Sequence, residues 1–292
     1  MSTTWTIRRA AVAGAAFAAV LGAVACAPQE ETTTPTPTGT DACAKENLAT
    51  KTPGRLTVAT DDPSFPPWVL DNAPESKQGF EAAVAYAVAE QLGFTDDEVT
   101  WVRVPFNAAI QPGPKNFDFD INQFSITEER REAVDFSSPY YDVRQVVVTV
   151  EGSPVADATS LADLAEAKLG AQVGTTSYQA IVDVIKPTVE PGVLNTNEDV
   201  VQQLMNGTID GAVFDLPTAF YITAVELENG VIVGQVPQVD GGTPEQFGLL
   251  LDKDSPLTPC VSKAVDELRA NGTLAELEAR WLADAAGAPE LT

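Results

Sequence analysis

The chain has 292 residues, with 42 Asp and Glu against 17 Lys and Arg, no His, and a formal net charge of −25. The lack of histidine excludes catalytic units of the Ser-His-Asp and Cys-His kinds and HExxH zinc sites, and the acidity opposes nucleic-acid binding, which needs clustered Lys and Arg. A hydrophobic fraction of 44% is that of a globular protein, and the length predicts two core-forming units.

Residues 1–25 have the pattern of a secretory signal peptide. A short basic region precedes the uncharged stretch 10–25, which is shorter than the roughly 20 residues that span a bilayer. The Ala-Val-Ala-Cys sequence that ends at Cys26 fits two interpretations: ordinary cleavage immediately before Cys26, or the lipobox of bacterial lipoproteins, which it resembles. We expect the lipoprotein, with the lipid on Cys26.

The segment 26–42 is predicted to be a tether. It is rich in Thr and Pro and has almost nothing to bury, so we expect a solvated, semi-extended chain of about 3 Å per residue. With a lipid on Cys26, the tether would hold the folded domain away from a membrane surface. The protein is therefore expected to be extracytoplasmic and attached to the cell membrane only through its lipidated N-terminal Cys.

The two other cysteines, Cys43 and Cys260, form an even pair in an exported, oxidising location. We predict a disulfide between them, the alternative being two buried thiols. A bridge would hold the start of the folded region against a helix near the C-terminus. The first unit would then be formed from both ends of the folded chain.

Strands and helices alternate along the folded region. A buried strand is predicted over 56–60 and a helix over 79–92, where apolar residues recur at every fourth position and Gly93 supplies the stop. Further strands are predicted over 99–104, 117–121, 145–150, 169–173 and 209–214, with helices over 177–185, from 217, and in two segments near the C-terminus. This alternation predicts an α/β fold.

Two stretches partly match ligand-binding motifs and fail at a required position. The acidic run from Asp118 to Asn122 fits part of an EF-hand loop, but Gln123 stands where the sharp turn needs glycine. The glycines around Gly174 lack the Gly-Lys-Ser/Thr of a P-loop. We therefore predict no metal and no cofactor.

The stretch 122–141 is the most informative part of the chain. Thr127 can cap a short helix with Arg130 near its start. An arginine is unfavourable at the positive end of a helix unless an anion needs it, and there it can clamp a carboxylate bidentately. The alternative is a surface arginine paired with Glu128 or Glu132.

The same stretch resembles the Thr-x-x-Arg, Asp-Phe-Ser and Pro-Tyr pattern of extracytoplasmic amino-acid-binding proteins of ABC importers, the polar amino acid family. The resemblance runs from about Leu56 to Trp281. Further matches are Thr60-Asp61, Phe65-Pro66-Pro67-Trp68, Gly79-Phe80-Glu81, Gly174-Thr175-Thr176-Ser177 and Ile209-Asp-Gly-Ala-Val-Phe-Asp215. The resemblance implies a two-lobed clamshell of the type II periplasmic binding protein kind, in which each lobe is a mixed sheet flanked by helices.

The resemblance also implies where the lobes lie along the chain. The first lobe would contain residues 43–146 and return over 248–292, and the second lobe would contain 147–247. Two hinge crossings would join them, near 144–150 and near 246–251. The protein is expected to act as a monomer.

By the same resemblance, the two charged groups of an amino acid would be bound by opposite lobes. Arg130 would bind the α-carboxylate, assisted by the backbone at Ser125, Thr175 and Thr176. Asp215 would bind the α-ammonium. Burying a zwitterion is tolerable only when both charges are paired, so the ligand would bridge the lobes and favour their closure.

The remaining matched residues would contact the side chain of the ligand. Phe65 and Phe106 would form walls and Asp61 would face the polar end, whereas Trp68 is expected to pack rather than to contact the ligand. An acid between aromatic walls suits a cationic side chain, and it can equally accept a hydrogen bond from a glutamine amide.

Asn122 and Gln123 depart from the family, in which small hydroxyl residues are frequent at these positions. Gln123 and Ser125 would assist Asp215 at the ammonium, and the two bulkier amides could narrow the pocket or add a hydrogen bond to the ligand side chain. A polar or cationic amino acid is expected rather than an acidic one, because no further Arg or Lys stands at the matched positions.

Three functions compete at this point. The first is a lipid-anchored protein that captures an amino acid and delivers it to the permease of an ABC importer. The second is a dehydratase or related lyase on the same scaffold, with a carboxylate as general acid. The third is an extracytoplasmic sensor that contacts a membrane partner. We predict the first and no enzymatic activity.

Overall fold

The computed structural model describes residues 42–238, 244–282 and 287–292. The predicted signal peptide (1–25), Cys26 and the predicted tether up to residue 41 lie outside the described residues. In the described ranges, no helix combines the length and the apolar character that crossing a membrane requires.

The described part of the chain contains ten strands and eight α-helices. The strands are β1 Leu56–Thr60, β2 Val99–Arg103, β3 Phe119–Asp120, β4 Val134–Asp142, β5 Gln145–Val150, β6 Leu169–Gln172, β7 Gly192–Leu194, β8 Gly211–Asp215, β9 Gly230–Gln235 and β10 Gln246–Asp252. The helices are α1 Phe80–Gln91, α2 Phe106–Ala109, α3 Glu128–Arg131, α4 Thr176–Ala180, α5 Asn197–Met205, α6 Leu216–Tyr221, α7 Thr258–Ala270 and α8 Thr273–Trp281. Helices α4 and α6 continue as π-helical turns over Ile181–Ile185 and Ile222–Glu226.

The first sheet has the strand order β2-β1-β3-β10-β4. Its β1, β2 and β3 are parallel, and β10 is antiparallel to both β3 and β4. Helices α1, α7 and α8 cover one face, because the apolar residues that recur every fourth position in α1, such as Phe80, Val84 and Val88, are fully buried there. A smaller cluster around Phe106 and Phe124 covers part of the other face. We call this sheet and its helices the first lobe.

The second sheet has the strand order β7-β6-β8-β5-β9. Its β6, β7 and β8 are parallel, and β5 is antiparallel to β8 and β9. One apolar cluster covers each face, and β5 is buried on both, as its continuous valine run requires. We call this sheet and its helices the second lobe. Two mixed sheets flanked by helices confirm the predicted two-lobed α/β fold.

The two segments predicted as hinge crossings lie in strands. Residues 145–150 form β5 of the second sheet, and 246–251 belong to β10 of the first. The chain therefore leaves the first sheet at the end of β4, enters the second at β5, and is back in the first sheet at β10. The predicted lobe boundaries, at 146 and 247, fall just inside β5 and β10. An extended crossing and a strand have the same local pattern, and only the pairing partners distinguish them.

The last six residues differ from the predicted return to the first lobe over 248–292. Residues 287–292 pack on the second sheet, where Leu291 N donates to Gln235 O at 2.9 Å and the Leu291 side chain is 2% exposed. A Cβ on Gly234 would lie 2.9 Å from Leu291 Cγ, so the glycine allows this close approach. One leucine and one glycine thus attach the C-terminus to the second lobe.

The predicted disulfide between Cys43 and Cys260 is confirmed, with a Cα–Cα distance of 5.3 Å. It joins the segment before β1 to α7, and Cys260 is buried in the helical face of the first sheet. The first lobe is therefore closed covalently across 217 positions of sequence.

Candidate functional site

One cavity of 340 Å³ lies at the carboxyl ends of strands from both sheets. Asp61 follows β1, Asn122 lies just beyond β3, Thr175 follows β6, and Asp215 ends β8. Ligands of open α/β sheets bind at such carboxyl ends. The cavity is lined by every residue that the sequence predicted to bind the ligand: Asp61, Phe65, Phe106, Asn122, Gln123, Ser125, Arg130, Thr175, Thr176 and Asp215. Their contacts with a ligand stay predictions.

Main-chain carbonyls of both lobes hold the Arg130 side chain at the cavity. Arg130 lies in α3, whose N-cap residue Thr127 accepts a hydrogen bond from Arg130 N at 3.1 Å, as predicted. Nη1 donates to Ser125 O at 2.7 Å and Nη2 donates to Gly174 O at 2.9 Å. The guanidinium also lies 5.3 Å from the centroid of the Phe106 ring. These contacts fix its plane, and a guanidinium with five N–H groups still has donors left for an anion.

The alternative of a surface arginine paired with a neighbouring glutamate is wrong for Arg130. Its side chain is buried, and the ion pair of this helix joins Arg131 to Glu128 at 3.4 Å. Burial lowers the pKa of Arg130 to about 10, and the carboxylates of Glu245 and Glu129 act in the opposite direction. The guanidinium therefore keeps its charge at neutral pH in a site that is poorly solvated.

Asp215 lies at the junction of β8 and α6. Its Oδ1 accepts a hydrogen bond from Thr218 N at 3.0 Å and so caps α6. Burial raises the pKa of Asp215 to about 6, the hydrogen bonds from Thr218 oppose this increase, and the nearby Glu245 adds to it. A cation beside Asp215 would stabilise its carboxylate and lower the pKa again.

The first lobe supplies an aromatic wall with an acid at its edge. Asp61 Oδ2 accepts a hydrogen bond from Phe106 N at 3.1 Å and lies 3.5 Å from Asn122 Nδ2. The Phe106 ring stacks on the buried Phe124 ring with a centroid distance of 5.0 Å, which holds it in place. Phe65 also lines the cavity.

Trp68 combines packing with a place at the cavity. Its ring is 2% exposed and lies 5.8 Å from the ring centroids of Tyr141 and Phe247. It also lines the cavity, and its Nε1 donates to Thr218 Oγ1 of the second lobe at 2.8 Å. The expectation of packing was therefore incomplete, because this indole also joins the two lobes.

Glu245 is a residue between the lobes that sequence reasoning missed. Its Oε1 accepts hydrogen bonds from Ser125 Oγ at 2.7 Å and from Thr176 Oγ1 at 2.6 Å. Gln145 Nε2 donates to both of its oxygens, at 3.1 and 3.2 Å. No local pattern signals Glu245, because the nearest of these partners is 69 positions away along the chain.

The second lobe supplies most of the other lining residues that sequence reasoning missed. Among them are polar or acidic side chains near α4, α5 and α6: Gln172, Asn195, Thr196, Asn197, Glu198, Tyr221 and Glu226. Burial raises the pKa of Glu226, and the neighbouring Glu198 raises it further. Thr196 could have been found from the sequence, because it caps α5 with the acids Glu198 and Asp199 in the first turn.

Comparisons with known proteins agree with this architecture. The family model of bacterial extracellular solute-binding proteins, family 3, matches residues 56–284. The arginine-binding extracellular protein ArtP of Bacillus subtilis is 24% identical over 82% of this chain and 91% of its own length.

Two solved structures are also similar. An ancestral arginine-binding protein bound to arginine has a TM-score of 0.62 and 30% identity, covering 78% of this chain and 98% of its own. An ancestral amino acid-binding protein that is a precursor of cyclohexadienyl dehydratase has a TM-score of 0.61 and 27% identity, covering 78% of this chain and 95% of its own. The family model spans most of the folded region, from β1 to beyond α8, and so the chain belongs to the bacterial extracellular solute-binding proteins, family 3.

Proposed function

We propose that this protein captures an α-amino acid in the cavity between its lobes and delivers it to the permease of an ABC importer. The observation that carries the proposal is the cavity itself, where the buried guanidinium of Arg130 and the partly buried carboxyl of Asp215 both line the wall. Among the described residues, no ion pair within 4.0 Å involves Arg130. An amino acid zwitterion would supply both missing counter-charges, which is the condition for burying them.

The ligand side chain is proposed to be polar or cationic. Asp61 from the first lobe and Glu198 and Glu226 from the second line the same cavity, and the Phe65 and Phe106 rings can face a cationic side chain. The relatives compared above include arginine-binding proteins, which agrees with this charge pattern. An acidic side chain would meet carboxylates at the distal end of the cavity and is disfavoured.

The rest of the proposal concerns where and with whom the protein acts. Cleavage of the signal peptide and a lipid on Cys26 would place the folded domain outside the cytoplasm, on a tether at the cell membrane. The protein would act there as a monomer, and the lobes closed around the ligand would be the form that the permease recognises.

A lyase activity is the second candidate, because one relative is a precursor of cyclohexadienyl dehydratase and the raised pKa of Asp215 would suit a proton donor. We favour binding without turnover, because the Asp215 carboxylate already accepts the hydrogen bond that caps α6, which suits a fixed partner for an ammonium better than a proton donor. A sensor role would use the same binding and a different membrane partner.

Calorimetry of the ligand-free mature domain against L-arginine, L-lysine, L-histidine, L-ornithine, L-glutamine and L-glutamate tests the function. We expect saturable binding of at least one polar or cationic amino acid, weaker binding of L-glutamate, and recovery of the ligand unchanged by mass spectrometry. Product formation would establish the lyase instead, and no binding of any amino acid would exclude the proposed function.

A further inference from the structure

Glu81 is a buried carboxylate one hydrogen bond away from the cavity. It lies in the first turn of α1, is 0% exposed, and does not itself line the cavity. Gln123, which does line the cavity, donates to Glu81 twice: its main-chain N to Oε1 at 2.8 Å and its side-chain Nε2 to Oε2. The hydroxyl of Tyr140 donates to Oε1 as well. All three groups that form hydrogen bonds with Glu81, two from Gln123 and one from Tyr140, are donors. This is the arrangement that an ionised carboxylate requires.

The backbone of Gln123 is held in an unusual conformation by these contacts. Its φ is 48°, in the left-handed region that a non-glycine residue adopts rarely. Such a conformation persists only where the surroundings impose it, and two hydrogen bonds hold Gln123 to the buried Glu81, which does not line the cavity. Gln123 is therefore fixed both at its main-chain N and at its side-chain amide.

The amide orientation has a chemical consequence for the site. Because an ionised carboxylate can only accept hydrogen bonds, Glu81 binds the NH₂ group of the Gln123 amide and leaves Oε1 as the end available to the cavity. We propose that Glu81 is a positioning residue of the amino acid site proposed above, and that it holds Gln123 Oε1 towards the cavity as an acceptor for the α-ammonium of the ligand. Together with Asp215, Gln123 would then present two acceptors to that ammonium.

The charged surroundings of Glu81 make this positioning depend on pH. Burial raises the pKa of Glu81 to about 7, the donors Tyr140 and Gln123 oppose the increase, and the Asp215 carboxyl at the end of β8 adds to it. Asp120 on β3 is also fully buried, and burial together with Glu81 raises the pKa of Asp120 well above its usual range. Tyr140 stays a neutral donor, since burial and Glu81 raise its pKa too.

Protonation of Glu81 would release the amide. A protonated Glu81 can donate to an amide oxygen, so the Gln123 side chain can turn and present its NH₂ group to the ammonium. The ammonium of a free amino acid stays protonated over the relevant range. Affinity should therefore be full above the pKa of Glu81 in the ligand-free protein and fall as the pH decreases through about 7.

Calorimetric titration with L-arginine and L-glutamine at several pH values, from about 6 to about 8, tests the proposal in the native protein and in three variants. In the native protein, ionisation of Glu81 with a pKa of about 7 gives a loss of about tenfold in affinity between pH 8 and pH 6, and ionisation of Asp215 with a pKa of about 6 adds about twofold. In Glu81→Gln this step should disappear, leaving only the smaller decrease that Asp215 produces near pH 6. In Tyr140→Phe, which removes a donor to the carboxylate, the midpoint should move to higher pH. Glu90→Gln, an exposed glutamate of the same helix, should keep the native profile.

A second readout separates positioning from folding. At about pH 8, Glu81→Gln should lose more than fivefold in affinity for an α-amino acid and little for the corresponding α-hydroxy acid, which has no ammonium. If Glu81→Gln keeps the native pH step, or Tyr140→Phe leaves the midpoint unmoved, the positioning role is refuted while the binding function stands. If the native protein binds none of the amino acids tested, both fall together. Should Glu81→Gln fail to fold, the Tyr140→Phe midpoint and a carboxyl ¹³C titration of the ligand-free native protein still decide the matter.

Discussion

Arg130 and Arg131 are adjacent in the sequence and differ in almost every physical property. Arg130 is buried between main-chain carbonyls of the two lobes, whereas Arg131 is exposed and paired with Glu128. A buried cation is costly unless an anion compensates it, so only Arg130 has an unmet requirement that a ligand can satisfy. Substituting each of these adjacent arginines in turn therefore tests whether direct contact or net charge determines binding.

We expect Arg130→Ala to lose at least about a hundredfold in affinity for L-arginine, an energy of about 3 kcal/mol. The physical reason is that the ligand carboxylate would be buried without its counter-ion. Arg131→Ala removes the same charge and should change affinity less than about twofold, since exposed ion pairs contribute little. Equal losses in the two variants, measured by calorimetry, would show that Arg130 acts through net charge rather than by direct contact.

At the scale of elements, the strands that the sequence predicted are those bounded by clear turns and rich in apolar residues. β1, β2, β5, β6 and β8 were found within a residue or two, and α1 was found from its spacing of four. β4 was missed because Ser137, Ser138 and Pro139 interrupt its apolar pattern. Its hydrogen bonds to β10 include register shifts beside Gly248, which no local pattern reveals.

The residues of the site also differ in how far the sequence could predict them. Gln123, Ser125 and Arg130, which line the cavity, could be predicted because they stand in the stretch that resembles the family's pattern. Glu245 could not, since it acts through partners far away in the sequence. Glu81 was visible as part of a family match, but an acid in the first turn of a helix is common for electrostatic reasons alone. Its contact with Gln123 exists only in the folded chain.

The disulfide is the element-scale feature with the clearest energetic expectation. Replacing both Cys43 and Cys260 by Ser should lower the free energy of unfolding by about 2–5 kcal/mol, because the bridge restricts the unfolded chain over a long loop. Affinity for L-arginine should change little, since neither cysteine lines the cavity. Urea denaturation of the native and double-variant proteins measures the first quantity and calorimetry the second; a stability loss below about 1 kcal/mol would mean that helix packing alone fixes α7.

Contacts between the lobes matter for the whole molecule. The indole of Trp68 binds Thr218, Arg130 binds the Gly174 carbonyl, and Glu245 joins Ser125 to Thr176. Each contact pairs a residue of the first lobe, or of the segment leading into it, with a residue of the second. They hold the two lobes together without a ligand, so we expect them to influence affinity through the population of this arrangement.

We expect Glu245→Ala to weaken L-arginine binding by about tenfold through a smaller closed population. Small-angle scattering should show a larger radius of gyration for the ligand-free variant than for the native protein, and the two should converge at saturating ligand. Glu276→Ala, at an exposed position of α8, is the control and should match the native protein. Unchanged scattering together with unchanged affinity would mean that the Glu245 contacts do not influence closure.

The packing of the last six residues on the second lobe makes it possible to measure the separation of the lobes. Cys43 fastens the beginning of the folded chain to α7 of the first lobe, whereas Leu291 fastens the end of the chain to β9 of the second. The two ends are therefore attached to different lobes, and a movement of one lobe relative to the other changes the distance between them. A donor dye near residue 90, in α1 of the first lobe, and an acceptor dye at Thr292, on the second lobe, would report the separation of the lobes by energy transfer in single molecules. Neither label would lie inside the cavity.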